Sequence, residues 1–458
     1  MIMSAISSTL RFMTASALGL MLLPAVAQEE DAASDPSTSM LPRVVYIDVP
    51  VPLIDGVDPV FPPVPAMPVA TDASPSQEQA ESIRRYTEAI AGIEAQGGVW
   101  DISLTEELTA MGSLLQQQGN HLAALETFDR AMHVNRINSG LHTTDQVAIV
   151  NEIIESYMVL GNWGQVDLYH NYLFYIQQKA YGPEDPRIIP VLAELGRWNL
   201  RAFSMGFGEI LGLRLSTAQI MFNAAARMVG LHFGRDDERF IPYLHNVARS
   251  AYQVALNPQL MTEMDRPDYL KVQDMLRTQL NERTPVVPQG YRDGEAALLE
   301  ILAFYGEENQ DPYLLAEATA NLGDWYMIFQ QRRNGHELYR RAWELLAEQD
   351  DGAALQQRLF GQLQPIPTYT QLPRLVNRRG AETPARAQLT MDFVDLSFEV
   401  SRNGEVRDVA ILNEETSANA GHFGRVAREL RRTVFRPLLV DGEPVQSSDH
   451  RVRIRYWY

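Results

Sequence analysis

The sequence predicts a mainly α-helical chain of antiparallel helical hairpins, followed by a small α+β domain with an antiparallel sheet and one helix. Two observations support this fold class. Apolar residues recur at helical spacing from about residue 76 to residue 360, and beyond residue 389 they alternate as they do in strands. Prolines between residues 361 and 374 interrupt both patterns, and this stretch is therefore predicted to be a linker.

Composition limits the classes of function open to this chain of 458 residues. Acidic residues outnumber basic ones by 58 to 39, and the formal net charge is −19. No nucleic-acid partner is expected, because phosphate contacts need a basic face. The sequence has no cysteine, which excludes disulfides, thiolate metal sites and cysteine nucleophiles.

Residues 1–27 have the pattern of a secretory signal peptide, with a charge at Arg11, an apolar stretch that ends at Leu23, and small residues at Ala25-Val26-Ala27. The apolar stretch is shorter than the roughly 20 residues that span a bilayer. We therefore expect a cleaved chain that begins near Gln28 in the periplasm of a Gram-negative bacterium. The alternative is that residues 1–27 are retained as an inner-membrane anchor; without them, membrane contact is expected only through partners.

Residues 28–75 are predicted to form an acidic, proline-rich tether. Acidic residues come first, and proline then occurs nine times between residues 42 and 75. Proline fixes φ and lacks an amide donor, which disfavours both helix and central strand. An extended tether is favoured over a docking ligand for a proline-reading groove. The apolar residues from Val44 to Val49 leave open that a short piece packs onto the body.

The predicted helical region, residues 76–360, contains two copies of one spacing pattern. The first consists of Leu108, Gly112, Leu115, Ala124, Phe128 and Ala131, and the second of Thr319, Leu322, Gly323, Tyr326, Gly335, Tyr339 and Ala342. Small residues at these spacings allow two helices to cross closely, and aromatic residues fill the space around the crossing. The pattern resembles the tetratricopeptide repeat.

Less regular units lie between the two copies. Glycine-plus-acid links begin at Gly140, Gly182 and Gly234, at steps of 42 and 52 residues, and resemble the longer repeats of the kinesin light-chain type. The resemblance implies stacked hairpins that form a solenoid, because each hairpin buries its apolar face only against its neighbours. It further implies that the concave face binds an extended peptide or a partner helix.

The C-terminal region, residues 375–458, is predicted to contain strands, a hairpin turn at Asn403-Gly404, an amphipathic helix and a final alternating strand. The helix is followed by Phe435-Arg436-Pro437 and then by Asp441-Gly442-Glu443-Pro444-Val445. This order resembles the C-terminal domain of TonB-type energy transducers. The resemblance implies a periplasmic domain that pairs a sheet edge with a short peptide of an outer-membrane transporter.

The sequence departs from that family in its N-terminal segment. The anchor helix of the family carries a serine and a histidine four residues apart, whereas here Ser16 is followed by Leu20. The leading prediction is therefore a periplasmic protein-binding scaffold of the cell envelope, with protein or peptide partners that include outer-membrane or envelope proteins. An anchored TonB-type transducer for outer-membrane transport is the alternative.

An enzyme is not predicted, and an uncharacterised periplasmic enzyme is kept only as a second alternative. The nine histidines are scattered, and no H-E-x-x-H pair occurs. The sequence therefore predicts no catalytic residue, no cofactor and no metal site.

The final strand carries the candidate partner-binding residues, which are Arg451, Arg453, Arg455 and Trp457. We expect the arginines to share one sheet face with Asp395, Ser397 and Glu399 if the two strands are neighbours. One interpretation is a solvated ladder in which each pair contributes about 0.2–1 kcal/mol; the other is a basic strip that binds an acidic peptide. Strand addition requires that residues 375–458 fold by themselves and leave the final strand one open edge.

Overall fold

The computed structural model describes residues 43–54, 57, 59, 61, 77–208, 210–261, 266–280, 288–306, 311–370, 374–376, 389–414, 416 and 419–458. The predicted signal peptide at residues 1–27 lies outside the described residues, as does most of the predicted tether at residues 28–75. The described residues from Arg43 to Tyr458 pack as one compact unit.

The described residues are mainly helical, as the sequence predicts. The helices are α1 (Gln77–Gly97), α2 (Leu104–Gln117), α3 (His121–Ser139), α4 (Gln146–Val159), α5 (Trp163–Tyr181), α6 (Ile189–Met205), α7 (Leu211–His232), α8 (Phe240–Leu256), α9 (Pro258–Met261), α10 (Pro267–Gln279), α11 (Gly290–Tyr305), α12 (Pro312–Ile328), α13 (Arg332–Ala347), α14 (Gly352–Phe360) and α15 (Ala420–Leu430). Antiparallel hairpins are formed by α2/α3, α4/α5, α6/α7, α8/α11 and α12/α13. Helices α9 and α10 are inserted within the fourth hairpin.

Three hairpins share one close contact between a glycine and an aromatic ring. A Cβ atom added to Gly112 would lie 2.4 Å from a ring carbon of Phe128, and one added to Gly323 would lie 2.9 Å from a ring carbon of Tyr339. Both contacts confirm the spacing pattern read from the sequence. The third hairpin repeats the contact between Gly196 and Phe222, at 2.6 Å, which the sequence pattern missed.

The turn within the first two hairpins has the same construction. Gly119 and Gly161 have φ angles of 77° and 67°, a left-handed conformation that glycine adopts without steric cost. The next residue, Asn120 or Asn162, accepts a hydrogen bond from the backbone N–H three residues later. Each asparagine thereby caps the second helix of its hairpin.

The described strands pair antiparallel in one main sheet and in two two-stranded sheets, β3–β7 and β8–β9. The strands are β1 (Tyr46–Ile47), β2 (Val51–Pro52), β3 (Gln364–Pro365), β4 (Arg374–Leu375), β5 (Met391–Val400), β6 (Val406–Ile411), β7 (Phe435–Arg436), β8 (Leu439–Val440), β9 (Glu443–Pro444) and β10 (Ser447–Trp457). The main sheet has the order β4-β1-β10-β5-β6, and β2 also pairs with β10. Helix α15 packs on one face of β5 and β10 through Phe423, Val426 and Leu430.

The prediction that the final strand offers an open backbone edge is wrong. Strand β10 pairs with β5 on one side and with β1 and β2 on the other. The amide groups of Val45, Asp48 and Leu53 donate to the carbonyl oxygens of Trp457, Arg455 and Arg451, at 2.7, 2.9 and 2.8 Å. A segment of this chain therefore already occupies the edge at which strand addition was expected.

The same segment corrects the tether prediction for residues 44–53. Proline disfavours strands because it lacks an amide donor. Here Pro50 lies between β1 and β2, and the residues that donate to β10 on either side of the two prolines are Asp48 and Leu53. Val44 and Ile47 are buried in the core of the sheet. The short piece from Val44 to Val49, which the sequence left open as packing onto the body, does so.

The C-terminal region is joined to the last helical hairpin through a buried ion pair. Arg436 of β7 is 2% exposed, and its Nη2 lies 2.5 Å from Oδ2 of Asp324 on α12, which is fully buried. Arg436 also donates to Oδ1 of Asn321 at 3.0 Å, and the Tyr339 hydroxyl donates to Asp324 at 2.7 Å. Residues 375–458 are therefore not the separate unit that the sequence predicts, because one of their arginines completes the core of the repeats.

Candidate peptide-binding surface

The first helix of each hairpin presents one face that is not buried by its partner helix. We call this face of helices α2, α4, α6 and α8 the first-helix surface. Its half-buried and exposed residues include Gln116 of α2, Glu152, Glu155 and Met158 of α4, Glu194, Arg197 and Arg201 of α6, and His245 and Arg249 of α8.

Side-chain contacts join neighbouring helices along this surface. Nε2 of Gln116 donates to the carbonyl oxygen of Glu152 at 3.0 Å. Nη1 of Arg201 lies 3.6 Å from the sulfur of Met158, and α6 packs against α8. The surface is therefore continuous from α2 to α8.

A segment of the chain lies across one end of this surface. We call residues 364–370 the docked linker. The Thr368 hydroxyl donates to Oδ1 of Asn321 on α12 at 3.2 Å, and Nε of Arg249 on α8 donates to the carbonyl oxygen of Tyr369 at 2.9 Å. Strand β4, a few residues further on, packs against α6. The chain thus passes from α12 to α8 to α6, and its backbone is recognised by a side chain of the surface.

Tyr369 occupies an aromatic position on the surface. Its ring centroid lies 6.1 Å from that of His245, and the ring packs against the core of the repeats. The hydroxyl is buried and meets no hydrogen-bond partner among the residues that the structure describes. Burial raises the pKa of Tyr369 well above its usual range, so the phenol is neutral.

Burial shifts the pKa values of the groups around Tyr369. Burial lowers the pKa of His245 to about 4, and the neighbouring charge of Arg249 adds to this effect. Burial also lowers the pKa of Arg249, which nevertheless stays a cation at neutral pH. This position therefore offers a neutral imidazole for an aromatic ring and one fixed donor for a main-chain carbonyl.

The charge of the first-helix surface changes sign beyond the docked linker. On α6, the exposed Arg197 pairs with Glu194 at 2.5 Å, and burial lowers the pKa of Arg201. On α4, burial raises the pKa of Glu152, and the charge of Glu155 raises it further. A basic section on α6 is thus followed by an acidic section on α4.

The four residues predicted from the final strand lie elsewhere, within the sheet. Arg453 pairs with Asp395, with Nε and Oδ1 2.7 Å apart, as the shared sheet face predicts. Arg455 instead binds Asp48 through Nε and Nη2, at 2.9 and 2.6 Å. Arg451 lies opposite Ser397, and Trp457 packs with Val45 and Tyr46. Binding of a partner by these residues stays a prediction.

The residues of the docked-linker site were missed by the sequence analysis. His245 and Arg249 are two polar residues on one more amphipathic helix, which is an unremarkable pattern. A weak signal was available in the linker, where Tyr369 is the aromatic residue that follows Pro365 and Pro367. Prolines restrict the conformations of the segment, and the structure places Tyr369 in a turn, in which the amide of Thr370 donates to the carbonyl oxygen of Pro367 at 3.2 Å.

Two further properties concern the described residues alone. Histidine, aspartate and glutamate do not gather there into a group of three or more that could hold a metal ion. None of the helices in the described ranges has the length and apolar character needed to cross a membrane.

Solved structures with helical repeats resemble this chain. BtubC from P. vanneervenii is 15% identical; the match covers 60% of this chain and 92% of that chain, with a TM-score of 0.34. A putative kinesin light chain from Podosopora anserina, which has nearly identical TPR-like repeats, is 13% identical over 54% of this chain and 97% of that chain, with a TM-score of 0.36. No family model and no curated protein matches the sequence.

Proposed function

We propose that this protein is a protein-binding scaffold whose first-helix surface binds a polypeptide segment of a partner. The docked linker is the observation that carries the proposal. It is a segment that turns at residues 367–370, where the amide of Thr370 donates to the carbonyl oxygen of Pro367, and it is held on this surface by a ring contact and by a side chain that donates to its backbone carbonyl. Main-chain recognition of this kind is independent of most of the ligand sequence, and charges along the surface then add selectivity.

The charges on α6 and α4 indicate the chemistry of the partner. Arg201 favours an acidic side chain, whereas Arg197 is already paired with Glu194. Glu152 and Glu155, one helix further on, favour a basic side chain. Since Arg201 contacts Met158 across the two helices, both sections lie within reach of one short peptide. The partner segment is therefore a peptide that carries an acidic residue and, a few residues away, a basic residue.

Photo-crosslinking from the surface tests this proposal. A photoreactive amino acid is placed at Met158, and a matched control is placed at Leu122, which is 67% exposed on the second helix α3. We expect discrete adducts from position 158 and none from position 122 in cells that make the protein natively. Arg201→Glu is expected to remove the adduct, whereas Arg84→Glu on α1 is expected to leave it. Equal labelling from both positions would contradict the proposal.

We further propose that the scaffold acts in the periplasm, in the cell envelope. The signal-peptide pattern of residues 1–27 supports this location, and the TonB-like order of strands, helix and Phe435-Arg436-Pro437 supports a role beside outer-membrane proteins. The mass of the native protein tests it. A chain that begins near Gln28 favours the exported scaffold, and a chain that begins at Met1 favours the anchored TonB-type transducer.

A further inference from the structure

We infer that the position occupied by Tyr369 is the aromatic-anchor subsite of the first-helix surface, and that the docked linker competes there with an aromatic residue of the partner. The inference rests on the proposed function and adds two things to it. It names the residue type that anchors the partner, and it assigns to residues 364–370 the role of a resident competitor.

The docked linker has two sets of contacts. At residues 364–368, β3 pairs with β7, and Ile366 is buried in a hydrophobic cluster. The amide of Ile366 donates to the carbonyl oxygen of Val434 at 2.9 Å, and Thr368 makes one hydrogen bond to Asn321. Tyr369 contributes the ring contact with His245 and accepts the hydrogen bond from Arg249. A ligand that supplies a ring and a carbonyl at this position can therefore replace the contacts of Tyr369 itself, while β3 and Ile366 stay in place.

The fit of Tyr369 is imperfect. Its hydroxyl is buried without a hydrogen-bond partner among the described side chains and backbone groups, and an unmade hydrogen bond at a buried hydroxyl disfavours binding. A phenylalanine at the same position would avoid this cost. The subsite therefore prefers an aromatic residue other than the one that the chain itself supplies, which makes the resident segment displaceable.

Release of the docked linker is expected to affect strands β4 and β1 of the main sheet. The segment continues into β4, which pairs with β1, and the amide of Val376 donates to the carbonyl oxygen of Val45 at 2.8 Å. Strand β1 in turn covers the edge of β10. A partner that displaces Tyr369 therefore loosens the strand that closes the sheet.

A peptide with the sequence of residues 363–370, Leu-Gln-Pro-Ile-Pro-Thr-Tyr-Thr, labelled with fluorescein, is the probe. Its binding is measured by fluorescence anisotropy with the full-length chain. We expect Tyr369→Ala to bind the peptide at least tenfold more tightly than the unaltered chain, because the resident ring is gone. A peptide whose tyrosine is replaced by alanine is expected to bind neither protein.

Matched variants identify the subsite. Tyr369→Ala combined with Arg249→Gln is expected to lose the peptide, because the donor to the carbonyl is removed. Tyr181→Ala, which removes a tyrosine at the end of α5, is expected to behave as the unaltered chain does. Tyr369→Phe is expected to hold the resident segment at least as firmly as tyrosine does and to bind the peptide no better.

One measurement uses the unaltered chain and therefore does not depend on the folding of a variant. The unaltered chain is mixed with an excess of the peptide in which phenylalanine replaces tyrosine, and hydrogen exchange at the amide of Val376 is followed. Faster exchange supports displacement, and unchanged exchange at saturating peptide overturns it. Equal peptide affinity of the unaltered chain and Tyr369→Ala also overturns the inference. If the adduct at position 158 persists in that case, the proposed function stands and only the competitor role is lost.

Discussion

Arg436 and Asp324 form a charged pair that is closed to solvent on both sides, with exposures of 2% and 0%. Burial by itself lowers the pKa of a guanidinium, but the Asp324 carboxylate more than reverses this, and the pKa of Arg436 stays above its usual range. Asn321 and Tyr339 complete the hydrogen bonds of the pair. The pair can therefore be buried, but removal of either member would leave the other as an unpaired charge in a low dielectric.

We expect Arg436→Leu to destabilise the protein by about 3–5 kcal/mol, because Asp324 is left buried and unpaired. Urea unfolding measures this loss. The double variant Arg436→Leu with Asp324→Leu is expected to be less destabilised than Arg436→Leu alone, because no charge is left unpaired. The exposed pair of Arg340 and Glu443 provides the control, and Arg340→Leu is expected to change stability little. A single variant that is no less stable than the double one would show that the pair is not coupled.

Substitution of Gly112 tests whether the close crossing of α2 and α3 requires a residue without a side chain. We expect Gly112→Ala to cost about 1–3 kcal/mol, because its Cβ would overlap the Phe128 ring. Gly92 on α1 is the matched control, since an added Cβ there meets nothing within 4 Å. Gly92→Ala is expected to stabilise the helix by about 0.5–1 kcal/mol. Thermal unfolding of both variants decides the matter, and a loss of similar size at both positions would contradict the steric explanation.

His170 makes stability depend on pH. Its ring stacks on Trp198 at 4.9 Å, and burial lowers its pKa to about 4. The folded state binds the proton less readily than the unfolded state, so the stabilisation is complete above about pH 6.5 and is lost as the pH falls towards 4, by about 3 kcal/mol. We expect His170→Phe to show a smaller loss of stability over that interval. Identical pH profiles for the two proteins would exclude His170 as the source.

At the residue scale, the sequence predicts what depends on close neighbours. Gly112 and Phe128 belong to one hairpin, so their spacing is visible as a repeat pattern. The partner of Arg436 is not predictable in this way, because Asp324 lies 112 residues away in the sequence. The motif Phe435-Arg436-Pro437 drew attention to the arginine, but nothing local specified that its charge would be buried against a helix.

Among the elements, strand β1 has the largest effect on the edge of β10, because it pairs with that edge. Val45 is fully buried, and its amide donates to Trp457. We expect Val45→Pro to remove this donor and to expose the β10 edge, with faster hydrogen exchange at Val376, whose amide bonds to the Val45 carbonyl. Arg43→Pro, at an exposed position before the strand, is the control and is expected to leave exchange unchanged. Equal exchange in both variants would mean that β1 does not close the sheet.

The sequence predicts the elements of the C-terminal region better than it predicts their order. Alternation from Arg451 to Trp457 correctly indicates a half-buried strand. Its central position depends on a segment about 400 residues upstream, and the contact between Asp48 and Arg455 spans 407 residues. Proline in that upstream segment favoured a tether, because composition does not reveal which amide groups a neighbouring strand needs.

For the whole molecule, the junctions between sheet and repeats determine how the chain unfolds. Repeat arrays usually unfold with little cooperativity between distant units, because each hairpin contacts only its neighbours. Here the C-terminal region shares the buried Arg436–Asp324 pair with α12 through β7, and a hydrophobic cluster with α13 through Leu439 of β8. The docked linker also ties α8 and α12 to the sheet through β4. The C-terminal sheet and the last hairpin are therefore expected to unfold as one cooperative unit. The first hairpin is expected to open with a different free energy.

Native-state hydrogen exchange tests this expectation. We expect amides of β5, β10, α12 and α13 to exchange with free energies that agree within about 1 kcal/mol, since the opening of one exposes the buried charge of the other. Amides of α2 and α3 are expected to exchange with a different free energy. Arg436→Leu with Asp324→Leu removes the shared charge and should separate the sheet from α12. If the sheet opens well before α12 in the unaltered chain, the buried pair does not couple them, and an effect of linker release on the sheet would have to pass through β4 and β1 alone.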